Sequence, residues 1–341
     1  MAGASGAALG ARSATAWELR QPYDAKIVAL VLLVALGLGV SAQRVEGQRF
    51  LALTWEWGQS LVGLRASSQI GQGLARMGES LFPPQLGERT EVSRIESFDP
   101  ARLPWFSRIE RQESREVRVN RQSLQTETHV EVKEFLVQPV GYLWRVAVKM
   151  VETLEIALWG TILAIAVSVP LAIGGARNYT PSPGVYTAAR GLVSFLRAVP
   201  EMISALFLVL AYGFGPIAGI LALGLHAAGF LGKFYAEDVE NADRGPQEAL
   251  QAIGAGKLKV LWFGVLPQVF PQYIAYTLYI LDRNVRMAIV IGIVGAGGIG
   301  QELKGRYDMF NYGHVSTILL ALFVTVFLLD QLSARIRARL I

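Results

Sequence analysis

The sequence predicts an all-α polytopic membrane protein with about six transmembrane helices. Hydrophobic residues make up 52% of the 341 residues and charged residues only 17%. The mean hydropathy is +0.37, and the apolar residues gather in blocks that approach the roughly 20 residues needed to cross a bilayer. The predicted spans are residues 27–42, 151–175, 191–212, 217–234, 268–296 and 314–332.

Composition also excludes several function classes. With no cysteine, the chain has no disulfide framework, thiolate metal site or cysteine nucleophile. The three histidines, His129, His226 and His314, are far apart in sequence, which argues against a metal centre. The net charge of +5 is small, and basic residues do not alternate with aromatic ones as on a nucleic-acid surface. A membrane-embedded enzyme would need a convergent set of nucleophile, base or metal ligands, and the sequence shows none.

The first predicted span raises the question of a signal peptide. Residues 1–26 form a polar leader, predicted to be a cytoplasmic tail, and residues 27–42 a first transmembrane helix. The small residues of Val40-Ser41-Ala42 suit a signal peptidase, so a cleaved signal is the alternative. The leader is longer than the charged region of most signals, which favours an uncleaved helix.

Residues 43–149 are polar, lack a spanning run and are predicted to be extracytoplasmic. Apolar residues at helical spacing between Gly58 and Leu81 predict an amphipathic helix on the membrane surface. Alternating side chains in 116–120 and 126–133 predict a β-hairpin. The dense charge indicates a solvated surface, and docking of an extracytoplasmic partner remains open.

Residues 150–333 form the predicted transmembrane core, followed by a tail at 334–341. The short outer connection 213–216 carries no charge, whereas basic residues border the loops on the opposite side. These are Arg177, Arg190, Lys233, Arg244, Lys257, Lys259, Arg335, Arg337 and Arg339. The positive-inside rule therefore places both termini and the long loop 237–268 in the cytoplasm.

The loop 237–268 has the sequence of a helical elbow. Pro246 suits a helix start because its missing N–H would be unpaired there anyway. Ala249, Leu250 and Ile253 form an apolar stripe. Gly254 can adopt the left-handed conformation that ends a helix, and a second helix is predicted from about Lys257.

Ionisable residues inside spans are costly and need a reason. Three pairs have the i,i+4 spacing that permits neutralisation on one helix, and for Lys233 and Glu237 this structural explanation is preferred. The run 282–286 lies in the middle of a long span and holds two arginines against one aspartate, which suits an anionic solute. A translocation-pathway role and a structural role both stay open for these residues. The pathway candidates are Asp282, Asn284, Arg286, Arg197 and Glu201.

The run Gly295, Gly297, Gly298 and Gly300 satisfies the dinucleotide pattern G-x-G-x-x-G. That pattern requires a preceding strand and an acidic residue about 20 positions later. Here a span-length apolar run precedes it and residues 315–320 contain no acid. The glycines instead predict a helix break that acts as a gate or lets helices cross closely.

The elbow resembles the signature of ABC importer permeases. Glu248-Ala249, Gly254 and Leu266-Pro267 stand at the family's spacing, while Leu250 replaces the usual second alanine and Gly264 replaces an isoleucine. The resemblance implies that these five matching residues belong to a coupling helix that docks into a partner ATPase. A generic amphipathic cytosolic hairpin is the alternative.

From about Leu154 onward the chain resembles the permeases of phosphonate ABC importers, whose relatives carry phosphite. The resemblance is carried by 176–178, 196–201, 229–233, 264–269, 284–286 and 330–335, and Asp282 stands where glutamate is expected. It implies transport of phosphonates or related oxyanions such as phosphite and phosphate. The alternatives are an ABC permease for another solute such as methionine, and an ion-coupled secondary transporter, although no inverted repeat is visible.

The resemblance also implies the partners. Two copies of the chain would pair in the bacterial inner membrane with two cytoplasmic ABC ATPase subunits and an extracytoplasmic solute-binding protein. ATP and Mg would be bound by the ATPase, so no cofactor and no metal are expected in this chain, and no nucleic acid.

Overall fold

The computed structural model describes residues 25–96, 98–100, 103–104, 106–119 and 126–340. Most of the predicted cytoplasmic leader, residues 1–24, lies outside the described residues. The chain divides into two compact units, residues 1–77 and 78–341, and each is described by itself.

The first unit contains α1 (Ala25–Arg44), α2 (Gly47–Leu61) and most of α3 (Gln69–Leu81). The single helix predicted from Gly58 to Leu81 is wrong, because residues 62–68 interrupt it. Gly63 has φ +78°, which a helix does not allow. Ser68 then caps α3 by accepting a hydrogen bond from the Gly71 N–H at 3.1 Å.

The second unit opens with a three-stranded antiparallel sheet, order β1-β3-β2, of β1 (Glu88–Glu91), β2 (Arg108–Val119) and β3 (Thr126–Gln138). A short 3₁₀ turn, Val92–Arg94, follows β1. The predicted hairpin corresponds to β2 and β3, which are longer than expected, and their connection at 120–125 lies outside the described residues. The sequence missed β1 because its four residues, ERTE, include no apolar residue to alternate.

Glu88 anchors this sheet to the helices that follow. Its carboxylate lies 2.9 Å from Arg145 Nη2 and 3.4 Å from Arg306 Nη2. Burial opposes the charge of Arg306, but the hydrogen bond and charge of Glu302 outweigh it and raise the pKa of Arg306. The Thr317 hydroxyl also donates to the Gln85 carbonyl oxygen at 2.7 Å. Glu88 thus ties the sheet to two of the following helices, and Gln85 ties the segment just before the sheet to a third.

The helices occupy the rest of the unit. They are α4 (Gly141–Gly175), α5 (Pro183–Ala198), α6 (Glu201–Tyr212), α7 (Pro216–Asn241), α8 (Arg244–Ala252), α9 (Lys257–Val260), a π turn (Leu261–Val265), α10 (Leu266–Gly292), α11 (Gly298–Asp308) and α12 (Tyr312–Leu340). The most extensive packing joins α4 to α7. Small residues permit it: a Cβ at Gly160 would lie 3.1 Å from Leu223, and one at Gly224 only 2.6 Å from Leu163.

Four described helices, α1, α4, α7 and α12, are long and apolar enough to cross a membrane, and α5 with α6 would make a fifth span. The remaining predicted span, 268–296, corresponds to α10, which has 27 residues but holds Asp282, Arg283 and Arg286 and is not in that set. The predicted all-α polytopic class is confirmed, whereas length and composition of the described helices support four or five spans.

The predicted continuous span 191–212 is wrong, because α5 and α6 meet at an angle of 90°. Pro200 lacks an N–H and its ring pushes the preceding residue out of the helical region. Val199 is accordingly extended, with φ −81° and ψ 119°. The break determines where the charged residues on either side of it point.

Candidate functional site: the elbow and the charges within the spans

The predicted helical elbow is present between α7 and α10. Asp243 caps α8 by accepting a hydrogen bond from the Gly245 N–H at 3.1 Å. Gly254 ends it with φ +82°, and the Ala255 N–H reaches the Leu250 carbonyl oxygen at 3.0 Å. α9 begins at Lys257. The glycine stop and the second start are therefore confirmed.

Gln247 connects the elbow to the loop between α4 and α5. It is the buried residue of α8, and its amide oxygen accepts a hydrogen bond from the Tyr179 hydroxyl at 3.0 Å. Burial raises the pKa of Tyr179, so the phenol stays a hydrogen-bond donor at neutral pH. On the other side, the Asp243 N–H donates to Gln268 Oε1 of α10 at 3.0 Å. α8 is thus held from two directions.

The two departures from the permease signature contact each other. A Cβ at Gly264 would lie 3.1 Å from Leu250 Cδ1. Leu250 is larger than the alanine usual at its position, and Gly264 is smaller than the isoleucine usual at its own. The side chain of Leu250 therefore occupies space that the isoleucine would fill. The exchange conserves volume, which cores tolerate best.

The apolar stripe predicted for α8 does not pack as a whole against the protein. Leu250 is half-buried, but Ala249 is exposed and Ile253 is 81% exposed. Leu258, Trp262 and Phe263 are also exposed. Glu248 and Pro267 are exposed, and Leu266 is half-buried. The elbow thus presents an apolar surface with a carboxylate on it.

The end of α7 is held by an ion-pair network. Lys233 and Glu237 pair at 3.6 Å, as their spacing predicts. Arg190 of α5 approaches Glu237 at 3.7 Å and Glu240 at 3.1 Å, and its Nε donates to the Gly175 carbonyl oxygen. These residues join α4, α5 and α7 beside the elbow.

The polar residues of the run 282–286 do not share one environment. Arg286 donates to Asp282, as the spacing predicts, and lies 3.6 Å from Asp330 of α12, with its side chain 47% exposed. Asn284 is only 2% exposed and donates to the Thr161 hydroxyl of α4 at 2.9 Å. This contact holds the Asn284 amide against α4, and a role for Asn284 in the pathway stays a prediction.

Arg197 and Glu201 do not neutralise each other, although their i,i+4 spacing permits it on a continuous helix. The bend at Pro200 separates them, and Glu201 instead accepts a hydrogen bond from Arg283 of α10 and lies 3.4 Å from His226 of α7. Arg197 Nε is buried with no hydrogen-bond partner among the described residues. The sequence analysis did not include His226 and assigned Arg283 no partner. The available signal was the position of Arg283 inside a predicted span, where a charged residue needs a partner.

The glycine run forms a tight helix crossing. Gly295, Gly297 and Gly298 have positive φ, and a Cβ on Gly300 would lie 2.0 Å from the Ile289 carbonyl oxygen. The first N–H groups of α11 are already occupied by α4, because Gly298 donates to Glu152 at 2.9 Å and Ile299 to Thr153 at 2.8 Å. A carboxylate therefore takes the place where a dinucleotide phosphate would bind. The close-crossing prediction is confirmed; the gate remains a prediction.

No cluster of three or more potential metal ligands occurs among the residues that the structure describes.

Comparison with known proteins identifies relatives for most of this chain. It is 63% identical over 261 residues to HtxE of Stutzerimonas stutzeri, described as a proposed phosphite transport system permease protein; the match covers 76% of this chain and all of HtxE. It is 44% identical over 188 residues to the phosphite transport system permease protein PtxC of the same species, covering 55% of this chain and 68% of PtxC. It is 42% identical over 190 residues to the phosphate-import permease protein PhnE of Mycolicibacterium smegmatis, covering 56% of this chain and 36% of that protein.

Among solved structures, an inward-facing form of the MetNI methionine ABC transporter matches with a TM-score of 0.52 at 22% identity, over 58% of this chain and 97% of that one. This likeness shows the fold. The family model for the inner membrane component of binding-protein-dependent transport systems matches residues 168–341, half of the chain, including the elbow and the charged break between α5 and α6. The chain therefore belongs to the family of binding-protein-dependent transport system inner membrane components, which are transport subunits and not enzymes.

Proposed function

We propose that this chain is the membrane-spanning subunit of an ATP-driven importer for phosphite, phosphonates or a related phosphorus oxyanion. The observation that carries the proposal is the 63% identity over the entire length of HtxE. Relatives named for phosphite and phosphate follow at 44% and 42%. The methionine transporter is 22% identical, a likeness of fold alone, so methionine is the weaker candidate.

The elbow is the proposed coupling element. Glu248, Ala249 and Gly254 lie on its exposed part, with Leu266 and Pro267 at the start of α10. Exposed apolar side chains such as Ile253 and Trp262 need a cover, since an apolar surface rimmed by polar residues is typical of a docking site. An ATPase subunit fits this need on the cytoplasmic side.

The assembly follows from this role. Two copies of the chain would share one pathway, with two ATPase subunits on the cytoplasmic side and a solute-binding protein outside. ATP and Mg would bind to the ATPase, and this chain would hold no cofactor. Both termini would lie in the cytoplasm, as the basic residues bordering the inner loops indicate.

Charged residues are the proposed pathway lining. Arg286 with Asp282 forms one group, and the exposure of the Arg286 side chain leaves it accessible. Arg197 and Glu201 form the second, at the break between α5 and α6. The glycine run 295–300 would serve as the gate, because positive φ at three positions concentrates backbone freedom there.

A reconstituted complex tests the function. It contains this chain, its ATPase and its binding protein in lipid, and ATP hydrolysis is measured with phosphite, 2-aminoethylphosphonate, phosphate or methionine. Stimulation by a phosphorus oxyanion alone is expected. Stimulation by methionine alone would refute the substrate class, and failure to assemble with an ATPase, as for an ion-coupled transporter, would refute the importer.

Glu248→Lys tests the elbow in the same complex. Reversing the charge on the exposed face should abolish solute-stimulated hydrolysis, while Glu248→Gln, which keeps the shape, should retain part of it. Full stimulation in Glu248→Lys would show that this face does not contact the ATPase.

A further inference from the structure

A cluster of ionisable residues meets where α5 and α6 break. Glu201 begins α6, His226 lies on α7 and Arg283 on α10. The Glu201 carboxylate accepts a hydrogen bond from Arg283 Nη2, and Nε2 of His226 lies 3.0 Å from the same Nη2. The Glu201 and His226 side chains are only 11% and 6% exposed. Three helices thus converge on one guanidinium group.

His226 is a positioning residue in this cluster. Its Nδ1 lies 2.9 Å from the Val199 carbonyl oxygen, which can only accept, so Nδ1 carries the proton. Nε2 of a neutral ring then accepts from Arg283, consistent with the 3.0 Å separation. The Val199 carbonyl is available because the helix breaks at the following proline. The break therefore orients His226, and His226 orients Arg283.

Arg197 supplies a second guanidinium with an unused donor. Its carbon Cζ lies 5.3 Å from the centroid of the Phe230 ring, and that of Arg283 lies 4.9 Å from the same centroid. The stem of Arg197 packs where α7 has no side chain, since a Cβ at Gly229 would lie 2.8 Å from Arg197 Cγ. The position of Arg197 is therefore built into the helix packing, although no described carboxylate neutralises it.

The charge balance leaves an excess of one positive charge. Arg197 and Arg283 contribute two guanidinium groups beside the Phe230 ring, and Glu201 contributes one carboxylate, which pairs with Arg283. His226, which accepts a hydrogen bond from Arg283 at Nε2, is neutral in this arrangement. Arg197 is half-buried, and its buried Nε donor without a hydrogen-bond partner among the described residues is destabilising. Such an arrangement persists where a ligand uses it, and charges inside membrane spans mark solute pathways.

We propose that Arg197 and Arg283 form an oxyanion-binding station within the translocation pathway, with Glu201 as a competing internal anion. This inference rests on the proposed function. A tetrahedral phosphorus oxyanion presents paired oxygens to guanidinium groups. Glu201 holds Arg283 between transport events and competes with the solute for it. The competition keeps binding weak, as passage through a pathway requires.

The first test uses Arg197→Gln, because this change breaks no ion pair among the described residues. Phosphite uptake is measured in proteoliposomes with the complete complex and saturating binding protein. We expect uptake to fall about tenfold or more, the effect of losing one charge-assisted contact. Arg197→Lys should restore part of the uptake. The control Arg49→Gln removes an exposed cation of α2 and should transport normally.

The second test measures binding directly. Glu201→Gln removes the competing anion, so radiolabelled phosphite should bind about tenfold more tightly to the detergent-solubilised complex without binding protein. Adding Arg197→Gln should abolish this gain. Normal uptake by Arg197→Gln would refute the proposed oxyanion-binding station. Equal affinity of Glu201→Gln and of the double variant for phosphite would refute it as well. Absence of phosphorus-oxyanion uptake by the unmodified complex would instead overturn the proposed function.

Discussion

Gly254 offers a perturbation whose magnitude can be derived from the backbone alone. Its φ is +82°, and a Cβ added there meets nothing within 4 Å. Gly254→Ala therefore introduces no clash, only the penalty of a side chain in the left-handed region, about 1–2 kcal/mol. Gly256, two residues later, also has open space but a φ of −70°. Gly256→Ala should change stability by less than about 1 kcal/mol, because the restriction of the unfolded chain is offset by placing alanine at the N-cap of α9.

Hydrogen exchange at the Ala255 amide reports on this turn, since that N–H donates to the Leu250 carbonyl oxygen across it. With exchange limited by the opening equilibrium, a loss of 1–2 kcal/mol accelerates exchange by about 5- to 30-fold. We expect this in Gly254→Ala after correction for intrinsic rates, and no acceleration in Gly256→Ala. Equal acceleration in both variants, or none in Gly254→Ala, would refute the inference that the left-handed glycine closes the elbow.

Three further predictions concern stability, measured by thermal unfolding of the assembled complex in detergent. Gly264→Ile alone should destabilise the complex by about 1–3 kcal/mol through overpacking. Adding Leu250→Ala should recover part of this loss, because the smaller side chain makes room for the isoleucine. If the effects of the two changes simply add, the two sites do not share space. Thr161→Val should destabilise the complex by about 1–3 kcal/mol because the Asn284 amide is left buried and unpaired. Adding Asn284→Leu should reduce that loss. An unchanged loss would contradict the hydrogen bond between Thr161 and Asn284. Glu152→Ala should destabilise by about 1–3 kcal/mol, since the first amide of α11 loses its acceptor, while Glu152→Gln should lose less; equal losses would show that the hydrogen bond is unimportant.

The elbow was predictable because its determinants are local. A capping aspartate precedes α8, a glycine with open space follows it, and the second start lies three residues beyond. Each signal acts within one turn of the chain, so no distant contact is needed to interpret it. The packing of Leu250 against Gly264 was not predictable, although both were visible as departures. Their contact exists only once the helices fold back on each other.

The partners of the charged residues were not predictable in the same way. The i,i+4 rule correctly paired Asp282 with Arg286, because α10 is continuous between them. It failed for Arg197 and Glu201 because a proline lies between them and bends the chain by 90°. Pro200 was visible in the sequence, and the residue before a proline tends to leave the helix. Which distant residue then takes the carboxylate depends on tertiary packing, so no sequence spacing predicts Arg283.

Two helices, α7 and α10, connect the elbow to the cluster of Glu201, His226 and Arg283. α7 carries His226 and is separated from α8 by two residues, and α10 carries Arg283 and begins directly after the π turn. At 1.5 Å per residue, Arg283 lies about 26 Å along α10 from its elbow end. A tilt of about 10° at that end would move Arg283 by about 4 Å, further than the length of a hydrogen bond. A tilt of this size would therefore be sufficient to break the contact between Arg283 and Glu201 if α6 did not move with α10. A single carboxylate–guanidinium contact can in this way distinguish two helix arrangements.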